Sequence, residues 1–122
     1  MVKQDGAAAF LAYWKMLADK KLPEPTPELK FSLLRKWRFD WGWEEPRRVA
    51  VEIDGGQWTQ FGGRHARDSD REKTNLASEM GWLVFHYSPQ MLEADPHKCV
   101  RQVERALQVQ AKKGVDNGRR TR

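Results

Sequence analysis

At 122 residues the chain is long enough for one domain with one modest hydrophobic core. Hydrophobic residues make up 39% of the sequence and include six tryptophans, which argues against wholesale disorder. The single cysteine, Cys99, excludes an intramolecular disulfide and suits a reducing compartment. No apolar run approaches the ~18 residues that cross a bilayer, so we expect a soluble, cytoplasmic protein with no membrane partner.

The formal net charge of +5 is concentrated at the C-terminal end. Residues 112–122 contain five basic side chains and one acid, and the other 17 basic and 16 acidic residues leave residues 1–111 with a net charge of +1. We therefore predict a single domain over residues 1–113 and a basic, disordered tail over residues 114–122. A basic tail is commonly only solvated, so evidence for nucleic-acid binding must come from the domain.

The first predicted elements are a helix and a β-hairpin. Apolar residues repeat at helical spacing within residues 6–20, and three prolines between residues 23 and 27 end that helix. Apolar and charged residues then alternate over residues 36–41 and 48–54, on either side of a turn centred near Glu45. This alternation predicts a hairpin with one buried aromatic and aliphatic face and one open, charged face.

The second half of the chain alternates helix and strand. Residues 55–69 contain four glycines and are predicted to form a loop of functional length. A helix is predicted over residues 70–80, a strand over 82–87 and a final helix that begins at Asp95-Pro96. The order predicts an α/β fold with a mixed sheet of about four strands flanked by helices.

Three carboxylates converge on the charged face of the predicted hairpin. Asp40 lies across the turn from Glu52, and Asp54 follows two residues later on the same face. Facing like charges destabilise a sheet by up to ~1 kcal/mol unless a cation neutralises them, and oxygen ligands favour Mg²⁺ or Mn²⁺ over zinc. In the alternative interpretation these acids are solvated on an open face and pair with Arg38 and Arg48.

An ordered set of motifs resembles the PD-(D/E)XK, or restriction-endonuclease-like, nucleases. Arg38-Phe39-Asp40 and then Val49-Ala50-Val51-Glu52-Ile53-Asp54-Gly55-Gly56 resemble the compact bacterial and phage branch that carries V-E-x-[DE]-G-G. The same order continues with Gly62-Gly63-Arg64-His65, with D-x-E-K-x-N over residues 70–75 and with Gly-Trp-x-Val over residues 81–84. The resemblance covers roughly residues 22–92 and extends, more distantly, to the very-short-patch repair endonucleases.

The resemblance implies a restriction-endonuclease-like core and a Mg²⁺- or Mn²⁺-dependent endonuclease that hydrolyses DNA, alone or as a homodimer. Asp40 and Glu52 would bind the metal through their carboxylates, and the backbone carbonyl of Ile53 would be a further ligand. Asp54 is a candidate catalytic residue that occupies the position of the motif's lysine. We therefore predict that Lys73, on the following helix, supplies the missing cation.

Further candidate residues lie near these motifs. His65 is a candidate for contacting the scissile phosphate or transferring a proton, and Arg64 and Arg38 are candidates for contacting phosphates. Gln57 and Trp58 are candidates for nucleic-acid binding, with Trp58 stacking on a base, although its packing on the sheet is the alternative. The other two histidines are expected to be structural.

Two other classes of function remain open. A catalytically silent nucleic-acid-binding module on the same fold is favoured by the missing motif lysine. A small interaction or assembly protein, whose acids serve only solubility, is the third class. Metal binding separates the nuclease from the third class, and cleavage separates it from the second.

Overall fold

The structure, a computed structural model, describes the backbone of residues 2–33, 35–54 and 63–120 and the side chains of residues 6–33, 35–54 and 68–113. The elements in chain order are helix α1 (Val2–Leu17), strands β1 (Thr26–Lys30), β2 (Arg38–Trp43) and β3 (Val49–Ile53), helix α2 (Gly63–Glu79), strand β4 (Leu83–Tyr87) and helices α3 (Pro89–Ala94) and α4 (Pro96–Arg120). The predicted α/β fold with a mixed, four-stranded sheet and flanking helices is confirmed.

The sheet has the strand order β1-β2-β3-β4. The first three strands are antiparallel neighbours, with Trp41 opposite Val51, and β4 lies parallel to β3 after the α2 crossover. Because β3 and β4 are parallel, their C-terminal ends lie side by side. There the amide of Asp54 donates a hydrogen bond to the carbonyl of Tyr87 at 2.8 Å.

One hydrophobic core joins the sheet to helices α1, α3 and α4. Val49, Val51 and Ile53 of β3 are each at most 1% exposed and pack against apolar residues of these helices. The indole of Trp41 donates to the carbonyl of Ala7 at 2.8 Å, so burying this side chain leaves its N–H satisfied. Helix α1 is thereby held against the centre of the sheet.

A second core covers the opposite face of the sheet, so the prediction of an open, charged hairpin face is wrong. Phe39 and Ala50 pack there with Ala77 of α2, and Trp41 lies in the first core. All five residues of β3 are buried. Period-two alternation cannot reveal that a later helix covers the second face of the hairpin.

Three helix boundaries differ from those predicted. Helix α1 spans Val2–Leu17 instead of residues 6–20. Helix α2 begins at Gly63, within the predicted loop, because the sequence from residue 64 to 80 contains neither glycine nor proline. The backbone of helix α4 continues to Arg120, where a disordered tail was predicted, and its two glycines, Gly114 and Gly118, each cost a helix only about 1 kcal/mol.

Other predicted boundaries hold. Gly81 ends α2 with a positive φ of 87°, a conformation that suits glycine. Asp95 accepts a hydrogen bond from the amide of Lys98 at 3.1 Å and thereby caps α4, as predicted. Among the helices described, none is long and apolar enough to cross a membrane.

Candidate active site

The carboxylates of Asp40 and Glu52 meet where β2 begins and β3 ends. The register of β2 and β3 ends with Trp41 opposite Val51, and Asp40 and Glu52 are the next residues along the two strands. Their proximity was predicted from the turn near Glu45. Their predicted exposure on an open face is wrong, since Asp40 is 8% and Glu52 5% exposed. The predicted surface carboxylates are therefore buried acids beneath α2.

Backbone amides fix the orientation of both acids. An oxygen of Asp40 accepts a hydrogen bond from the amide of Ile53 at 2.8 Å. An oxygen of Glu52 accepts one from the amide of Asp40 at 3.4 Å. Each acid is thus tied to the partner strand's backbone, and the two carboxylates are held side by side without depending on flexible rotamers.

Lys73 of α2 contacts Glu52, one acid of this pair. Its ammonium forms a buried ion pair with Glu52 and lies 4.7 Å from the centroid of the Phe39 ring. The Lys73 side chain is 12% exposed, so the bridge is shielded from solvent. The helix therefore brings a cation to the acidic pair, as its spacing suggested, and the catalytic role of Lys73 stays a prediction.

The pKa of Glu52 is raised to about 7. Burial is the largest cause, because removing a carboxyl group from water costs more solvation free energy for its charged form than for its neutral form. The ammonium of Lys73 lowers the pKa, and the nearby charge of Asp40 raises it further. Lys73 therefore offsets only part of the cost of ionising Glu52.

A second polar pair lies beside this site, between the end of β3 and the edge strand β4. An oxygen of Asp54 is 2.9 Å from Nδ1 of His86, and both side chains are partly exposed. His86 lies next to Glu52 in the parallel register of β3 and β4. The structure thus places Asp54 with a histidine, not with the other two predicted catalytic acids.

The sequence analysis assigned His86 a structural role and did not foresee its contact with Asp54. Its pKa is raised, mainly by the hydrogen bond to Asp54, with further contributions from the charges of Asp70 and Glu52, while burial opposes the shift. A single histidine in an apolar strand carries no motif of its own. Only the parallel pairing with the strand that holds Glu52 could have revealed its position.

The donor set suits Mg²⁺ or Mn²⁺ more than zinc. Within the described part of the chain, no group of three or more His, Cys, Asp or Glu side chains could hold a metal ion. Mg²⁺, however, often uses only one or two carboxylates, with water and substrate phosphates as the other ligands. The carbonyl of Ile53 points to the same side of β3 as its amide, which faces Asp40. Asp40, Glu52 and this carbonyl therefore fit such an ion.

The other predicted residues are only partly covered by the structure. Arg38 is exposed at the start of β2 and donates to the carbonyl of Glu28 at 3.3 Å. The backbone of Arg64 and His65 belongs to α2, and their side chains lie outside the described residues. Gln57 and Trp58 lie outside them entirely. The roles of these five predicted residues in binding or catalysis remain predictions.

Comparison with known proteins adds no family assignment. The chain matches no protein-family model, no curated protein sequence and no solved structure. Its resemblance to restriction-endonuclease-like nucleases therefore depends on its own motifs, and the conclusions about function depend on the geometry of Asp40, Glu52 and Lys73.

Proposed function

We propose that this protein is a Mg²⁺- or Mn²⁺-dependent endonuclease with a restriction-endonuclease-like core that hydrolyses DNA phosphodiester bonds. The observation that carries the proposal is the buried ion pair of Glu52 and Lys73 beside Asp40. Two fixed carboxylates and one ammonium are the groups that such a reaction needs around a phosphate. The protein would act alone or as a homodimer.

The buried acids support this proposal because they need more positive charge than Lys73 supplies. Burial keeps the pKa of Glu52 near 7 in spite of its ion pair. A fold that retains two adjacent buried acids carries a cost that a bound divalent cation would remove. An interaction or assembly protein has no comparable reason to bury this pair.

The chemistry divides among the groups of the site. A bound Mg²⁺ would lower the pKa of a water molecule and offset negative charge on the phosphate. Asp40, Glu52 and the Ile53 carbonyl would hold the ion. Lys73 would release Glu52 to the ion and turn its ammonium toward a phosphate oxygen, where it would stabilise developing negative charge.

The second candidate function is a catalytically silent nucleic-acid-binding module. The observation that favours it is Asp54, which stands at the lysine position and pairs with His86 instead of entering the carboxylate pair. On this alternative the ion pair of Lys73 and Glu52 stays closed, and phosphate contacts come from exposed basic residues such as Arg38.

The test is cleavage of labelled DNA by isosteric variants in Mg²⁺, Mn²⁺ and EDTA. Asp40→Asn and Glu52→Gln should each reduce the rate at least about 10²-fold, because each removes a metal-binding charge while keeping shape. Glu104→Gln is the matched control, since Glu104 is a 7% exposed acid on α4 that bonds to the amide of Asp19. Wild-type activity in both site variants would overturn the proposal.

Lys73 is tested in the same assay. Lys73→Ala should lower the rate at least about 10²-fold, in line with the loss of one electrostatic group. Lys73→Arg should restore little, because a planar guanidinium does not fit where a compact ammonium is required. Lys98→Ala, on an exposed turn of α4, serves as the control. Full activity in Lys73→Ala would assign the catalytic cation to another residue.

A further inference from the structure

The segment that joins β1 to β2 is the most basic part of the described domain. Residues 30–38, here called the basic segment, contain four basic side chains and no acid, whereas residues 1–111 together carry a net charge of +1. The basic side chains are Lys30, Arg35, Lys36 and Arg38, and all four residues are exposed. Because the segment leads into β2, it lies at the end of the sheet that holds Asp40.

Aromatic packing anchors the basic segment at both ends. The ring of Phe31 stacks on that of Phe39 at 4.6 Å and meets Trp82 edge-on at 6.2 Å. Trp37 packs, partly buried, against the same core cluster. The segment is therefore held on the sheet face that α2 covers, and its charges have a defined place.

Arg35 connects the segment to the candidate active site. Its guanidinium lies 4.1 Å above the Trp37 ring, and one of its nitrogens is 3.8 Å from a carboxylate oxygen of Glu72. Glu72 immediately precedes Lys73, which contacts Glu52. The Arg35 side chain is 53% exposed, so it is accessible to a ligand.

Leu33 projects from the middle of the segment into solvent. It is 97% exposed, although the two preceding residues, Phe31 and Ser32, are both buried. Exposing a leucine costs free energy that a ligand with an apolar surface would recover. The segment thus combines exposed positive charges, an accessible guanidinium stacked on a tryptophan and an exposed apolar side chain.

We propose that the basic segment binds single-stranded DNA and passes it to the site at Asp40 and Glu52. Lys36 and Arg38 contact phosphates, Arg35 stacks on an exposed base over Trp37, and Leu33 packs against a neighbouring base. Paired, stacked bases hide the faces that Arg35 and Leu33 need, so a duplex binds less tightly. This inference rests on the proposed function for its link to cleavage, but not for strand binding itself.

The test is the affinity of the full chain for labelled oligonucleotides in EDTA, measured by fluorescence anisotropy. We expect a short DNA single strand to bind about tenfold more tightly than its duplex, and Leu33→Ala or Arg35→Ala to remove most of that difference. Lys36→Gln should weaken binding to any sequence and reduce the salt dependence by about 0.7 in log–log slope, the loss of one phosphate contact. An RNA strand of the same sequence should bind no more tightly than the DNA strand.

Controls of the same chemistry lie elsewhere on the molecule. Met16→Ala removes another exposed apolar side chain, 71% exposed on α1, and Lys98→Gln removes a charge on α4. Neither should change affinity for the strand. Three outcomes would each overturn the inference. They are equal affinity for duplex and single strand, tighter binding of RNA than of DNA, and unchanged binding by the Leu33 and Arg35 variants. Strand binding without cleavage in Mg²⁺ would contradict the proposed function alone.

Discussion

The negative charge of Glu52 is only partly compensated by the ammonium of Lys73 that it contacts. Burial raises the pKa of its carboxyl group more than the ammonium of Lys73 lowers it. Near neutral pH this acid is consequently divided between protonated and charged forms. A small change in its surroundings, such as the arrival of a divalent ion, can therefore convert it completely to the charged form.

The raised pKa of Glu52 predicts a pH dependence of stability. Between about pH 4.5 and 7 the folded protein keeps a proton on Glu52 that the unfolded chain has lost. The free energy of unfolding should therefore fall as pH rises across this window, by at most about 1.4 kcal/mol per pH unit. The Glu52→Gln variant has no titrating group at this position. Its free energy of unfolding, measured by denaturant titration at each pH, should therefore fall less steeply with pH over the same range.

The difference in pH dependence between the wild type and Glu52→Gln isolates the contribution of Glu52. His86 also has a raised pKa, so its stabilising contribution is present at low pH and lost as pH rises, which gives the same sign. His86 remains in both proteins and largely cancels in the comparison. Glu104→Gln keeps Glu52 and should retain the wild-type slope. Parallel stability curves for wild type and Glu52→Gln would contradict the prediction.

Among single residues, those that share a local pattern were predictable from sequence. A turn near Glu45 is sufficient to bring Asp40 opposite Glu52, and helical spacing made Lys73 a candidate partner. His86 was not predictable, because its position beside Glu52 depends on a parallel pairing across the α2 crossover. Burial of the acids was also missed, since it depends on the layer that α2 adds.

At the scale of elements, β1 and β2 pack closely where Leu29 covers Gly42. A Cβ atom built on Gly42 would overlap the end of the Leu29 side chain and lie 3.0 Å from its Cβ. Replacing a strand glycine normally gains up to ~1 kcal/mol. Here Leu29 is 5% exposed and cannot turn away, so Gly42→Ala should destabilise the protein by about 1–3 kcal/mol, measured by thermal or chemical unfolding.

A double-mutant cycle identifies the cause of that loss. Leu29→Ala alone should cost about 2–5 kcal/mol, as for other buried leucines. In that background Gly42→Ala should cost much less, and the coupling between the two sites should reach at least about 1 kcal/mol. Additive effects would show that crowding between these two side chains is not the reason for the glycine.

The elements themselves were predictable in type more than in extent. Periodicity identified the hairpin, the strand before Ser88 and the helix that Asp95 caps, since each signal lies within its own element. The same periodicity failed between Phe39 and Trp41, which pack in opposite cores although they are two residues apart. The early start of α2 was missed because its flanking glycines resemble those of a loop.

For the whole molecule, binding of Mg²⁺ or Mn²⁺ should raise the melting temperature. A ligand that binds only the folded state stabilises it, by about 2.7 kcal/mol at a hundred times its Kd, which corresponds to several degrees for a domain of this size. The ion would also relieve repulsion between Asp40 and Glu52. Thermal melting with and without millimolar metal measures the effect.

Variants test whether the metal-dependent rise in melting temperature depends on the carboxylate pair. Asp40→Asn should lose the shift, and Glu104→Gln should keep it. The measurement is repeated with a short DNA oligonucleotide, because phosphate oxygens complete the ligand set of Mg²⁺ in many sites. No metal-dependent shift with or without DNA would favour the interpretation that the two buried acids serve only the fold.

The central position of β3 determines how long the carboxylates of Asp40 and Glu52 stay aligned. This strand is buried at all five positions and is paired on both sides, by β2 and β4. Its amides should therefore be among the slowest to exchange with deuterium, since only global opening exposes them. Glu52 and the amide that orients Asp40 both belong to this strand. Fraying of helix ends leaves the carboxylates aligned, and on heating they should lose their alignment only as the whole domain unfolds.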